Sequence, residues 1–161
     1  KAYVNDAEAR GTLLMPSDEQ VIEAVKHNDL KRDAQVILYM LESRLNDSFC
    51  ASSHDNSFNI FVKEQIMPEK ADSNWPLGYA VTEEQRRETA KTLGNFIILR
   101  EKLQSRSKKG TWLDKKVAMR PKCEELHLFK CVQNGLKTWD EAIVAERNVW
   151  LAEKILDVWS K

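Results

Sequence analysis

The chain has 161 residues, 42% of them apolar and 31% charged, with five tryptophans and 25 basic residues balancing 25 acidic ones. That is enough for one sizeable core and too apolar for a disordered tail. It contains no apolar run of about 18 residues that could cross a bilayer, and its start lacks the basic–apolar–small order of a secretion signal, so no membrane partner and a cytoplasmic location are expected.

Residues 1–16 show little periodicity and read as an extended lead-in. Ser17 with Gln20 forms a capping box ahead of Val21, Ile22 and Val25, and His27-Asn28-Asp29 breaks that helix. A second helix, roughly Leu30–Leu45, carries Ala34, Ile37, Leu38, Leu41 and Leu45 at three- and four-residue spacing. Asn46–Asn56 is rich in Ser, Asp and Asn and reads as a loop. Alternation over Phe58–Val62 predicts a strand, and Pro68 prevents its continuation. Ala71–Ala80 reads as a loop containing Trp75-Pro76.

Thr82 with Gln85 caps a short helix running to about Lys91, and Leu93-Gly94-Asn95 reads as a turn. A second strand is predicted over Phe96–Leu99. Ser105–Thr111 reads as a basic, polar link, and Trp112–Met119 as a helix that Pro121 stops. Glu124–Leu136 is helical by pattern, with Gly135 near its end. Thr138 with Glu141 reads as a third capping box, starting the longest helix. Its stripe of Trp139, Ile143, Trp150, Leu151, Ile155, Val158 and Trp159 reads as core.

Neutral net charge conceals an asymmetry. Arg100–Lys122 holds nine basic and two acidic residues, a net of +7 within a chain of zero formal charge. Such a segment attracts phosphate or forms a solvated helix face. Cys50, Cys123 and Cys131 include no pair spaced for a zinc knuckle, so no structural zinc is expected and buried thiols are.

Metal-dependent cleavage of a phosphodiester needs a base for water, a divalent cation and a group that orients the base. A strand–loop–strand–helix unit can bring all three together. The ordered elements of this chain supply such a unit. Glu64-Gln65-Ile66-Met67-Pro68 closes the first strand region. Leu93-Gly94-Asn95-Phe96 with Ile98 and Leu99 forms the second element, and Leu103-Gln104 comes next. Trp112 with Lys115, and then Trp139, Ile143, Arg147, Leu151 and Trp159, complete the series.

In that order and spacing the chain resembles the C-terminal, HNH-type (His-Me finger) nuclease domain of the GmrSD restriction endonucleases and related phage-defence proteins. The resemblance runs from about Phe58 to Trp159, and Val36–Leu45 looks like the family's preceding helix. It implies an α+β, mostly helical fold in which a helical scaffold surrounds a small antiparallel β-hairpin plus helix, like a ββα-metal finger. On this division, 1–57 is an N-terminal helical scaffold of the same domain, 58–120 the nuclease-like core and 121–161 helices packing on it. A longer parent carrying an N-terminal sensing domain is implied, and the start at Lys1 rather than Met fits a fragment.

The resemblance also assigns roles. Gln65 stands at the general-base position, where the family carries His, and a carboxamide has no useful proton affinity near neutral pH. Asn95 stands at the orienting position and Lys115 at a recurrent lysine near the site. Glu64 and Gln104 stand at metal-side positions for Mg or Mn, with Gln104 in place of Asn and its amide moved outward by a methylene. Lys108, Lys109, Lys115, Lys116 and Arg120 are the candidate contacts to DNA phosphates. The implied function is a restriction-type domain that holds DNA and is catalytically impaired. The alternatives are an active endonuclease whose His has been changed to Gln, and a non-enzymatic scaffold. The second departure, at Gln104, favours natural drift. His27, His54 and His127 stand away from the base position, and Arg147 reads as structural, its stem on apolar surface and its charge on a carboxylate.

Overall fold

The computed structural model describes residues 16–47, 49, 58–133 and 136–159. The predicted lead-in, most of the 46–56 loop with His54 and Cys50, and Gly135 lie outside the described residues. Helix α1 (Asp18–His27) starts at the Ser17–Gln20 capping box and helix α2 (Ala34–Leu45) comes after a turn. Strand β1 (Val62–Gln65) pairs antiparallel with strand β2 (Phe96–Leu99), in a register that sets Gln65 opposite Phe96 and Val62 opposite Leu99. Between them lies helix α3 (Glu83–Thr89), started by the Thr82–Gln85 box. Helices α4 (Ser105–Lys108), α5 (Trp112–Met119), α6 (His127–Gln133) and α7 (Glu141–Trp159) complete the order. The α+β, mostly helical architecture with one antiparallel hairpin is thus the one expected.

All four residues of β2 are buried, so the strand runs through the core instead of along its edge. Burying each such side chain contributes about 1.5–3 kcal/mol. Helix α2 packs on β2, and α7 packs across α1 and onto the turn Leu93–Asn95 that feeds β2. That turn is pinned at the molecule's centre before any site residue is considered.

Four expectations need correction. The first strand lies at Val62–Gln65, and Phe58–Ile60 is a single 3-10 turn. Three residues per turn put Phe58 and Phe61 on one side. Both rings meet Tyr39 of α2, with centroids at 5.2 and 5.9 Å. The aromatic alternation therefore reports an anchor on α2. The basic link after Gln104 contains helix α4. The helix predicted from Glu124 begins at His127, because the buried Glu42 carboxylate accepts from the amides of His127 (2.7 Å) and Leu128 (3.0 Å). Finally, α7 is capped by Asp140, which accepts from the Ile143 amide at 3.1 Å. Thr138 does not serve, because Glu141 is committed to a buried ion pair with Arg86.

Candidate nuclease-type centre at the end of the hairpin

The centre is assembled where β1 ends and β2 begins. The pairing continues one step past the strands, the Ile66 amide donating to the Asn95 carbonyl at 2.9 Å. The Asn95 side chain is fully buried. Its amide donates to the carbonyls of Met67 and Ala90, both at 2.8 Å. Its oxygen accepts from the Met67 amide at 2.8 Å and the Trp139 indole at 3.2 Å. All the usual capacity of a carboxamide is used. Asn95 is a clip joining three segments of backbone to the Trp139 ring at the start of α7.

Gln65 lies beside it. Its side-chain amide donates to the same Ala90 carbonyl at 2.9 Å. Two ordinary hydrogen bonds to one oxygen keep the two amide nitrogens within about 6 Å of each other. Gln65 and Asn95, expected from the sequence at the base and orienting positions, are therefore neighbours. Gln65 is only half-buried and has one such bond, against four for Asn95.

Glu64 is the single buried residue of β1's four. Its two carboxylate oxygens face two different ammonium groups, Lys115 at 3.6 Å and Lys108 at 3.7 Å. Lys115, on α5, is buried, and its ammonium also donates to the carbonyls of Gln65 and Ile66, both at 2.8 Å, with the Trp75 ring 5.7 Å away. Burial pulls Lys115 below the ordinary lysine range, while the Glu64 carboxylate pulls it back up. Lys115 thus staples α5 to the end of β1 from inside. Lys108, on α4, is exposed and reaches Glu64 from solvent.

Gln104 is exposed, and its backbone carbonyl accepts from the Lys108 amide at 3.1 Å, placing it at the start of α4. Lys109 is exposed on the next turn. Lys116 donates to the Leu136 carbonyl at 3.2 Å and covers the Trp112 ring. Arg120 sits 3.8 Å from Glu124. Lys122 pairs with Glu101 at 2.5 Å and Arg100 with Glu125 at 3.0 Å. Part of the segment's +7 is therefore neutralised by carboxylates, and around Lys108 and Lys109 one carboxylate, Glu64, is shared between Lys108 and Lys115.

Neither histidine among the described residues stands at the base position, and His54 lies outside them. His27 faces Glu23 at the end of α1, and His127 faces the Leu45 carbonyl at the start of α6. Cys123 is buried, and burial pushes its thiol well above the ordinary range. The side chain of Cys131 lies outside the described residues.

Several buried polar residues that shape the centre carry no sequence signal marking them as buried. Asn148 of α7 accepts from the Gly94 amide at 2.5 Å and donates to the Thr92 hydroxyl at 2.8 Å. A Cβ on Gly94 would stand 2.5 Å from the Val144 carbonyl oxygen, so the turn meets α7 backbone to backbone. Arg147 donates to the carbonyls of Gly94 (2.5 Å) and Phe96 (2.7 Å), a structural role served through carbonyls. Arg86 pairs with Glu141 and donates to the carbonyls of Trp75 and Pro76, which ties the 71–80 loop to α7.

A divalent cation fits this donor set poorly. Hard cations want several oxygens, and a carboxylate that lends one must not already be neutralised. Among the described residues no three His, Cys, Asp or Glu side chains converge. The Glu64 carboxylate already faces two ammonium groups.

A buried hairpin with Asn95 at the start of one strand, Gln65 and Glu64 on the other, and α4 and α5 against them stands in a mostly helical α+β domain. The family model of the GmrSD restriction endonucleases, C-terminal domain, matches residues 15–154. The chain belongs to that family. No curated protein and no solved structure matches it. Members of the family are generally dependent on a divalent metal, and among the described residues no helix is long and apolar enough to cross a membrane.

Proposed function

We propose that this domain holds DNA through phosphate contacts and cuts it weakly or not at all. The observation that carries the reading is Gln65. It stands where the resemblance puts the base, cannot accept the water proton, and commits its amide to the Ala90 carbonyl. Among the described residues Asn95 has no imidazole to orient, and it is consumed by backbone and indole. The groups that the family's chemistry would use are therefore built into the fold here. Lys108 and Lys109 remain at the surface beside the centre, and lysines on phosphates position a duplex without reading its bases. On this reading the domain is the DNA-facing part of a longer, cytoplasmic restriction or phage-defence protein, with a sensing domain N-terminal to it.

Nicking of supercoiled plasmid in magnesium or manganese tests the first half. No conversion above the buffer control is expected. Robust, chelator-sensitive turnover would overturn the reading and make the alternative, an active endonuclease with another base, the better one. Binding of a short duplex across a salt series tests the second half. Affinity should fall linearly with the logarithm of salt and vary little with base sequence. A chain that binds no duplex at low salt would instead be a scaffold.

A further inference from the structure

We infer that the centre supplies its own cations: the ammonium groups of Lys108 and Lys115 occupy both oxygens of Glu64 and take the place of a divalent metal, so that a DNA phosphodiester docks there without one. The DNA half of this statement rests on the function proposed above; the metal half does not.

The geometry carries it. Glu64 is buried, and a buried carboxylate must be compensated. Here one negative charge meets two positive ones within 3.7 Å. Lys115 cannot swing aside, since two carbonyls at 2.8 Å hold its ammonium from within the core. An entering divalent cation would meet a local charge that is already positive. The second metal-side candidate, Gln104, is exposed at the start of α4 and brings a neutral oxygen at best. The same arithmetic favours an anion. Lys108 reaches Glu64 from solvent with its side chain 44% exposed, so a phosphate can share its ammonium while Lys115 keeps Glu64 neutralised.

Manganese binding followed by electron paramagnetic resonance tests the metal half on the protein alone. The chain as it stands should bind Mn²⁺ no more tightly than about 1 mM, the weak end of protein cation sites. Lys108→Met keeps an apolar stem, removes the exposed ammonium and should tighten Mn²⁺ about tenfold or more, a conservative figure for one charge removed at about 4 Å near a surface. Adding Glu64→Gln to that variant should abolish the gain. Submillimolar Mn²⁺ on the unaltered chain, lost in Glu64→Gln, would overturn the inference. Fluorescence anisotropy of a labelled duplex tests the other half. Equal affinity in chelator and in low manganese is expected at fixed monovalent salt. Affinity that requires manganese would overturn it. Failure to bind duplex under either condition would end the proposed function and the docking half together, while the manganese result would still decide whether lysines hold the carboxylate.

Discussion

The two sides of the hairpin's end use the same kinds of side chain for opposite purposes. On the β2 side, Gly94 and Asn95 are fully enclosed, and Arg147, Asn148 and Trp139 grip them from α7 and its start. On the β1 side, Gln65 is half-buried with one side-chain bond, and Glu64 is reached by a lysine from solvent. The sequence expectation puts the family's pattern on the first side and its departures, Gln65 and Gln104, on the second. The difference separates two demands on one motif. Leu93-Gly94-Asn95 is needed for the chain to fold, whereas a base and a metal-side amide are needed only for chemistry. On the proposed function, this domain has shed the second set and kept its shape.

The sharpest way to break that comparison is Asn95→Ala. The substitution leaves the Met67 amide and the Trp139 indole without their acceptor, and the Met67 carbonyl without its donor, in a buried site. Each such group costs about 1–3 kcal/mol, so a loss of about 3–5 kcal/mol in urea unfolding is expected. A loss below about 1 kcal/mol would mean that Asn95 is retained for something other than the fold. Gly94→Ala comes next. Its Cβ would sit 2.5 Å from a carbonyl oxygen of α7, an atom that cannot rotate away. Overpacking against fixed backbone should cost about 2–3 kcal/mol, read as a lowered thermal midpoint. Gln65→His probes the other side. One half-buried hydrogen bond is at stake, so unfolding should shift by less than about 1 kcal/mol. Cleavage should stay absent in the same variant, because Glu64 remains paired with two lysines.

How much of this the sequence discloses depends on the range of the force involved. The Ser17 and Thr82 capping boxes and strand Phe96–Leu99 are local, and they stand where their residues predict. So does helix Trp112–Met119, though its own box, Thr111 with Asp114, is an easily overlooked variant that uses Asp. Errors arise where a distant partner overrides the local pattern. Glu42 sets the start of α6 from 85 residues away. Arg86 takes Glu141 from the cap of α7 across 55 residues. Tyr39 draws Phe58 and Phe61 out of the strand that their alternation suggests. At the site, the adjacency of Gln65 and Asn95 is foreseeable from the motif's order. The burial of Lys115 is not, because a lysine in a basic run looks the same whether its ammonium enters the core or the solvent.

That burial decides how the smallest effect should be sought. Replacing Lys115 would disturb the fold, so a test of the phosphate track needs residues whose loss the fold ignores. Lys108 and Lys109 are exposed, and Lys108→Ala with Lys109→Ala should change unfolding by no more than about 0.5 kcal/mol. The same pair should flatten the dependence of duplex affinity on salt by about 2 units, near 0.9 for each phosphate no longer neutralised. Arg120→Ala with Lys122→Ala is the matched control in the same segment. Each of those two cations has a carboxylate of its own, Glu124 and Glu101, whereas Lys108 shares Glu64 with Lys115, so less of their charge is free to displace counterions from DNA, and their slope change should be the smaller. If the ranking reverses, the duplex lies along the α5 end of the basic segment and away from the hairpin. The centre at Glu64 would then be a structural ion cluster with no part in holding DNA.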